Sequence, residues 1–343
     1  MSDLEIKKIT DRAGTGSPNF TNGVKVSGVD SGLLAPTRTE GETQPEAAAN
    51  GDTFYDTAND TYDVYINDEW KRVIGEGGGA ASWTVDLSNV TYDNVSLDVG
   101  SQDANPQGMA FNTDGTKMYL AGASDENVYQ YSLSTAFDLS AASYDSVSFS
   151  IVSQDNFIRE IAFNSDGTKM YIIGTDSDSV YQYSLSTGFD LSTASYDSVS
   201  FSIASQETNT YGITFNTDGT KMYVVGISSD SVHQYSLSTG FDLSTASYDS
   251  VSFSVSSQDT LPASVTFNTD GTKMYMVGLS NDTVFQYSLS TGFDVSTASY
   301  DSVSFSVASQ NTLPVGLTFS HDGTKMYIVG NSGDTLYQYS TGL

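Results

Sequence analysis

The 343 residues include no cysteine, and 42 Asp and Glu face only 13 Lys and Arg, for a formal net charge of −29. The missing thiols exclude disulfides and cysteine chemistry. A field of that sign repels nucleic-acid phosphates and anionic headgroups, and no apolar run approaches the ~20 residues of a membrane span, so neither nucleic acid nor membrane insertion is expected.

Taken in order, the chain changes character several times. The first ten residues are charged and lack an apolar stretch, so no signal peptide is expected. Residues 1–40 are polar and rich in Gly, Ser and Thr, a composition that orders only against a partner. Residues 41–50, with Glu42, Glu46 and three alanines, read as a linker. In residues 51–74 the runs Phe54-Tyr-Asp-Thr57, Tyr62-Asp-Val-Tyr-Ile66 and Trp70-Lys-Arg-Val-Ile74 predict a three-stranded meander, with turns at Asn59-Asp60 and Asn67-Asp68. Three short strands are marginal alone, so docking or oligomerisation is expected. Residues 75–82, with Gly77-Gly-Gly79, read as a hinge.

From residue 83 onward one stretch organises everything. Phe111-Asn-Thr-Asp114-Gly115-Thr-Lys117-Met-Tyr119 returns with its Asp at 166, 218, 270 and 322, a constant interval of 52 residues. A fixed period of this length marks a repeat architecture. Asp-Gly signals a tight turn between two strands, because Gly takes positive φ without a Cβ penalty. Strand A ends before the turn, at Met109-Ala-Phe111. Strand B follows it, and Met118-Tyr-Leu-Ala121 has no polar alternation, as expected of a strand buried on both faces. Strand C is Val128-Tyr-Gln-Tyr-Ser-Leu133. Strand D, Val147-Ser-Phe-Ser-Ile151, alternates strictly and should be wet on one face.

The ends complement each other. A D-like strand at Val95-Ser-Leu-Asp-Val99 precedes the first A strand, and the last repeat stops after strand C. The fifth four-stranded unit is complete only if the N-terminal strand joins it, which removes the exposed edges of an open array. The fold class predicted is therefore all-β, a five-bladed β-propeller over residues 83–343. The repeat resembles β-propeller blades of the YVTN and lactonase-like kind, patterned Pro-x-Gly-x-x-Phe-x-x-Asp-Gly. Pro314-Val-Gly316-Leu-Thr-Phe319-Ser-His-Asp322-Gly323 fits it best, whereas Glu160 and Ser264 replace the Gly in two copies. The resemblance implies a fold and no chemistry.

Catalytic constellations are sparse. There is no nucleophile elbow, no His-x-x-x-His and no phosphate-binding Gly loop. His233 and His321 stand in different repeat columns and read as structural. Five-bladed propellers host glycosidases, which need paired carboxylates in a cleft, but Glu160 is the only carboxylate in its column, opposite Gly108, Gly212, Ser264 and Gly316. Beside Arg159 it reads as a local ion pair or a ligand contact. The B–C loops carry Asp125, Glu126, Asp176, Asp178, Asp230, Asp282 and Asp334. Only the second offers Asp-x-Asp spacing, so the acids read as turn-capping groups, with calcium the rival. Phe137, Phe189, Phe241 and Phe293, with Tyr144, Tyr196, Tyr248 and Tyr300, recur at fixed places and are expected to pack within and between blades. No catalytic residue, metal site or cofactor is expected.

The variable parts lie on one face. The A–B turns and C–D connections barely change between repeats, whereas the D–A connections change greatly and the B–C loops vary too. In an antiparallel blade, D–A and B–C connections share one face, which reads as a diversified binding face, with relaxed constraint on the loops the alternative. The candidate residues are Gln107, Asn156, Phe157, Arg159, Glu160, Asn209, Tyr211, Leu261 and Leu313.

The meander module is similar to one in tailed-phage fibre proteins, with Gly51-Asp-Thr-Phe-Tyr-Asp-Thr57 followed by Val64-Tyr-Ile-Asn67 and Trp70-Lys71. The opening Ile9-Thr-Asp-Arg-Ala-Gly14 and Asn19-Phe-Thr-Asn-Gly23 also resemble phage fibre N-termini. The resemblance implies a virion fibre or spike made in the host cytoplasm. Residues 1–74 would dock to other tail or capsid proteins, as a homotrimer by analogy with phage fibres. The propeller would contact a host cell-surface glycan or protein. The alternatives are a structural head or tail decoration protein and a propeller enzyme that degrades polysaccharide.

Overall fold

A computed structural model describes residues 83–343, together with the backbone of three strands at Thr53–Asp56, Thr61–Ile66 and Glu69–Val73. The chain divides into two units, residues 1–82 and 83–343. The attachment segment, linker and hinge expected at residues 1–40, 41–50 and 75–82 lie outside the described residues. The three strands of the first unit form an antiparallel meander in sequence order, with Tyr62 paired to Tyr55 on one side and to Val73 on the other.

The second unit is a five-bladed β-propeller of four-stranded antiparallel sheets. In the first blade the strands are Pro106–Phe111 (A), Lys117–Gly122 (B), Asn127–Leu133 (C) and Ala142–Ser150 (D). The next three blades repeat this order, and the A strands neighbour one another around the ring, the first against the fifth. The fifth blade takes Pro314–Phe319, Lys325–Gly330 and Thr335–Ser340 from the C-terminus and Thr91–Asp98 from the N-terminal side. Leu336 pairs with Leu97 and Gln338 with Val95, so the ring closes between the two ends of this unit. Closure pairs the last strand edge, which in an open array would recruit other chains.

Each strand's burial follows its pattern. Strand B is buried apart from its opening Lys, whereas strand D alternates between half-buried and exposed side chains. Strand D is longer than its alternation suggested. It starts at Ala142 rather than Val147, and a register shift between Tyr144 and Val147 leaves Asp145 and Ser146 out of the ladder, with Ser146 at φ +60°. The bulge breaks the period-2 signal that the alternation reading relies on.

That bulge serves an inter-blade girdle. In the second blade Lys169 Nζ meets Asp197 Oδ2 at 2.6 Å, and Gln182 Nε2 donates to the same oxygen at 2.9 Å. The amide's oxygen then accepts from Leu243 N of the next blade at 2.8 Å. Desolvation pushes the Asp197 carboxyl up, but the hydrogen bonds from Lys169, Ser184 and Gln182 outweigh it and hold it below the usual range. The same Lys–Asp–Gln set recurs in all five blades. All five turn lysines are thereby paired within the fold.

The A–B turns are wider than a two-residue hairpin. Gly115 N donates to Asn112 O and Asn112 N to Lys117 O, while Asp114 Oδ1 accepts from Thr116 N at 2.9 Å. Gly115 takes φ +71°, and a Cβ on it would sit 2.4 Å from the Phe137 ring. Phe137 caps the turn from the C–D connection and packs on Phe111. Tyr144 packs on Tyr129 and Tyr131 of its own blade. These repeated aromatics are therefore structural, as their fixed positions suggested. In the fifth blade the Trp83 ring takes the place of Phe137 beside Gly323.

Candidate binding face and central channel

Strand A carries the decisive irregularity. Every A strand shifts register against its B strand near its start, at Gln107, Arg159, Tyr211, Ala263 and Val315. A bulge bends the strand and re-aims the side chain at the extra residue. These residues, expected in the D–A connections, thus form a column at the D–A end of the A strands, in which Gln107, Ala263 and Val315 are buried and Arg159 and Tyr211 half-buried.

Three of the five meet. The Arg159 guanidinium lies 3.8 Å from the centroid of the Tyr211 ring and 4.3 Å from that of Phe157, and its Nη1 donates to Gln107 Oε1 at 2.9 Å. Gln107 Nε2 donates in turn to Asn105 Oδ1, which also accepts from Asn331 Nδ2. A polar arc therefore runs from the fifth blade through the first and second to the third. Burial lowers the Arg159 pKa from its ordinary value, and Arg159 Nε has no hydrogen-bond partner. A cation between two aromatic faces is pre-oriented, so little side-chain entropy remains to be lost on binding.

The other candidates are spread around this centre. Asn156 is exposed, and Asn209 is half-buried with its N–H on Glu207 Oε1. Leu261 and Leu313, 38% and 47% exposed, belong to blades four and five, across the ring from Arg159. The face is thus cationic, aromatic and amide-bearing on one side and apolar on the other.

Glu160 departs from its expected place. Successive strand residues point to opposite sides, and where Arg159 turns to the face, Glu160 turns into the channel, 5% exposed. Among the described residues no ion pair joins the two side chains. Instead Glu160 Oε1 accepts from Ile161 N at 3.1 Å and Oε2 from Ser264 Oγ at 3.1 Å, reaching from the second blade to the fourth. A Cβ on Gly108 would lie 2.1 Å from Glu160 Oε1, so the glycine next door leaves the room that the carboxyl occupies. Burial pushes the Glu160 pKa up to about 8, so the group is neutral at pH 7. A single protonated carboxyl without a facing partner lacks the paired carboxylates of glycoside hydrolysis.

Glu160 and Ser264 line one end of a cavity of about 320 Å³ that reaches the A–B turns, on the end opposite Arg159. Two residues on from the Glu160 column, Ala110, Ala162, Thr214, Thr266 and Thr318 line it and are half-buried. The sequence reading missed this space, although a step of two along each A strand from the Gly/Glu column identifies its wall.

Several of the remaining polar groups have structural employment. In the D–A segments Asp155 accepts from Phe157 N, Ser177 N and Ser177 Oγ, stapling the D–A segment to the B–C loop. Glu207 does the same in the third blade, where Ser229 Oγ donates to Glu207 Oε2 at 2.7 Å and sits 2.9 Å from His233 Nε2. Ser229 Oγ thus bridges the Glu207 carboxylate and the His233 ring within the blade. In the B–C loops, Glu126, Asp178, Asp230, Asp282 and Asp334 occupy left-handed positions with φ +46° to +54°. Asp suits that conformation, but these side chains do not cap the turns as expected: Oδ1 of Asp178, Asp230 and Asp282 is buried without a hydrogen-bond partner among the described residues, and it is the backbone oxygen that accepts from the end of strand D, as Asp178 O does from Ile203 N. No cluster of three His, Cys, Asp or Glu suited to a metal occurs among the described residues.

No protein-family model and no curated protein matches the sequence. Among solved structures, it is similar to a functionally unknown protein from Desulfotomaculum acetoxidans, at 14% identity over 83% of this chain and 77% of that one, TM-score 0.45. A proposed 6-phosphogluconolactonase from Bacteroides uniformis matches at 13% identity over 82% and 75%, TM-score 0.44. A protein from Lactobacillus plantarum matches at 14% identity over 83% and 78%, TM-score 0.44. The propeller assignment rests on this chain's own strand order and closure.

Proposed function

We propose that the propeller is a binding module whose D–A face recognises an acidic glycan on a cell surface, and that the chain is a phage fibre or spike protein. The observation that carries the binding role is the Arg159 stack between Phe157 and Tyr211, hydrogen-bonded to Gln107. It breaks the sameness of the five blades at one point, at the mouth of the channel, with the propeller's only arginine. A planar guanidinium suits a carboxylate, and flanking rings suit sugar faces. Leu261 and Leu313 supply apolar contact across the ring.

The fibre assignment is supported by the resemblance of residues 9–74 to phage fibre segments. In that reading residues 1–74 attach to tail or capsid proteins and the propeller projects to the host. The test uses the full chain, fluorescently labelled, on bacterial cells and on immobilised polysaccharides with and without uronic acids. Saturable binding to an acidic glycan, lost in Arg159→Ala, is the expected result. Equal retention by acidic and neutral glycans, or by wild type and Arg159→Ala, would overturn the glycan reading. Antibody against the chain should decorate phage particles, and particles without label would overturn the fibre assignment.

A further inference from the structure

We propose that the cavity at the A–B end of the channel is a second binding site, and that it takes a small organic primary ammonium, its charged head on Glu160 and its apolar tail toward the A–B turns. The cavity of about 320 Å³ falls within the size of small-ligand sites, which are concave, largely apolar and fitted with a few convergent polar groups. Its walls supply the apolar part, with Ile161, Ile213, Val265 and Leu317 among the lining residues. Polar groups line both ends, with Asn112, Asn164, Asn216 and Asn268 near the turns and Glu160 and Ser264 at the other end, where the acid lies.

There the donor set is specific. Thr214, Thr266 and Thr318 come from three successive blades and occupy one channel-lining column. None of the three hydroxyls has a hydrogen-bond partner among the described residues, whereas those of Thr116, Thr168, Thr220 and Thr272 in the turns are all bonded. Facing them, the first and second blades present only the methyls of Ala110 and Ala162. One column therefore offers three hydroxyl oxygens on one side, with the Glu160 carboxyl and Ser264 hydroxyl two residues closer to the Arg159 end. An ammonium has three N–H donors and no acceptor, so it suits an acceptor-rich site with one carboxylate.

Charge supports the same choice. The protein's net −29 attracts cations, and among the described residues Glu160 is the only acid lining the cavity, with His321 its only other titratable side chain. The A strands packed around Glu160 contribute Gly108, Gly212, Ser264 and Gly316 at its level and Ile173 lies opposite it in strand B, so among the described residues no fixed cation already neutralises it. Arg159 is committed to Tyr211, Phe157 and Gln107 at the other end. Because Glu160 is protonated at neutral pH when the site is empty, binding an ammonium transfers its proton to solvent. Affinity then rises about tenfold per pH unit up to about pH 8.

The experiment titrates the full-length protein with benzylamine by calorimetry between pH 6 and 9, with benzyl alcohol as the neutral analogue. Saturable benzylamine binding, at least tenfold weaker at pH 6 than at pH 8 and accompanied by proton release, is expected. Glu160→Gln should lose at least tenfold in affinity, and Thr266→Phe, which fills the cavity, should abolish binding. Both variants should keep the wild-type response to glycan at the D–A face, so failure of one site does not imply failure of the other. No binding of benzylamine at millimolar concentration up to pH 9, equal binding by Glu160→Gln, or equal binding of benzyl alcohol would each overturn the proposal. If Thr266→Phe does not fold, displacement of bound benzylamine by n-butylamine, but not by n-butanol, must decide in its place.

Discussion

Lys325 Nζ and Asp93 Oδ2 lie 2.7 Å apart although 232 residues separate them in the chain. The other four Lys–Asp pairs of the girdle span only 28 residues each. Asp93 also accepts from Gln338 Nε2 and Ser340 Oγ, while Leu87 N donates to Gln286 Oε1 and Val85 O accepts from Tyr275 Oη. The segment before the first A strand thus supplies a whole C–D connection as well as an outer strand.

Closure sets the first prediction. Deleting residues 83–102 exposes the edge of Thr335–Ser340 and removes Trp83, Leu87 and Val90 from the core. Loss of cooperative unfolding and concentration-dependent aggregation are expected by scanning calorimetry and light scattering. The milder Asp93→Ala should cost about 2 kcal/mol, because it leaves Lys325 and Gln338 without their acceptor. A truncated protein that stays monomeric with an unchanged melting temperature would refute the closure argument.

A second prediction follows from the buried carboxyl. Glu160 has a folded-state pKa of about 8, above its ordinary 4.5. The native state therefore holds the proton more tightly, so this group's penalty is absent below about pH 4.5 and grows as pH rises towards 8. Glu160→Gln keeps the shape without the charge. It should leave stability at pH 5 nearly unchanged and raise it at pH 9 by a few kcal/mol, on the order of 1.4 kcal/mol per pKa unit. Urea melts at the two pH values measure the difference, and equal effects at both would show that Glu160 stays ionised throughout.

The binding face yields the third. Arg159→Ala and Tyr211→Ala should each weaken cell or glycan binding by about 1–2 kcal/mol or more while leaving the fold intact. Ser148→Ala, on the exposed outer strand, is the silent control. Lys221, on the opposite end, is a poorer control because it is tied to Asp249 at 2.7 Å. Binding by Arg159→Ala and Tyr211→Ala equal to that of wild type would remove the stack from the recognition surface.

Two glycines separate conformational from steric cost. Gly333 sits at φ +90° with nothing within 4 Å of an added Cβ, whereas at Gly115 the Cβ would also strike the Phe137 ring. Gly333→Ala should cost about 1 kcal/mol, from backbone strain alone. Gly115→Ala should cost about 2–4 kcal/mol, since overpacking adds to the strain. Chemical denaturation ranks the two, and the reverse order would mean that Phe137 swings away freely.

Much of this molecule was legible in its residues. The 52-residue period, the five blades, the buried B strand, the half-wet D strand and the closing N-terminal strand all follow from local pattern and from counting strands at the two ends. Such features depend on which residues are apolar and how often they recur, and a repeat states that five times. The directions of side chains near the channel were decided only by tertiary structure. Arg159 and Glu160 are adjacent in the chain, yet a register shift against Gly174 and Ile173 sends one to the face and the other into the channel. The start of strand D at Ala142 was hidden by another such shift. The cavity appears in no single repeat, because its width is set by five A strands converging and its floor by one Glu crossing to Ser264. Local sequence encodes period and burial, whereas pairing register and ring geometry arise only when distant strands meet.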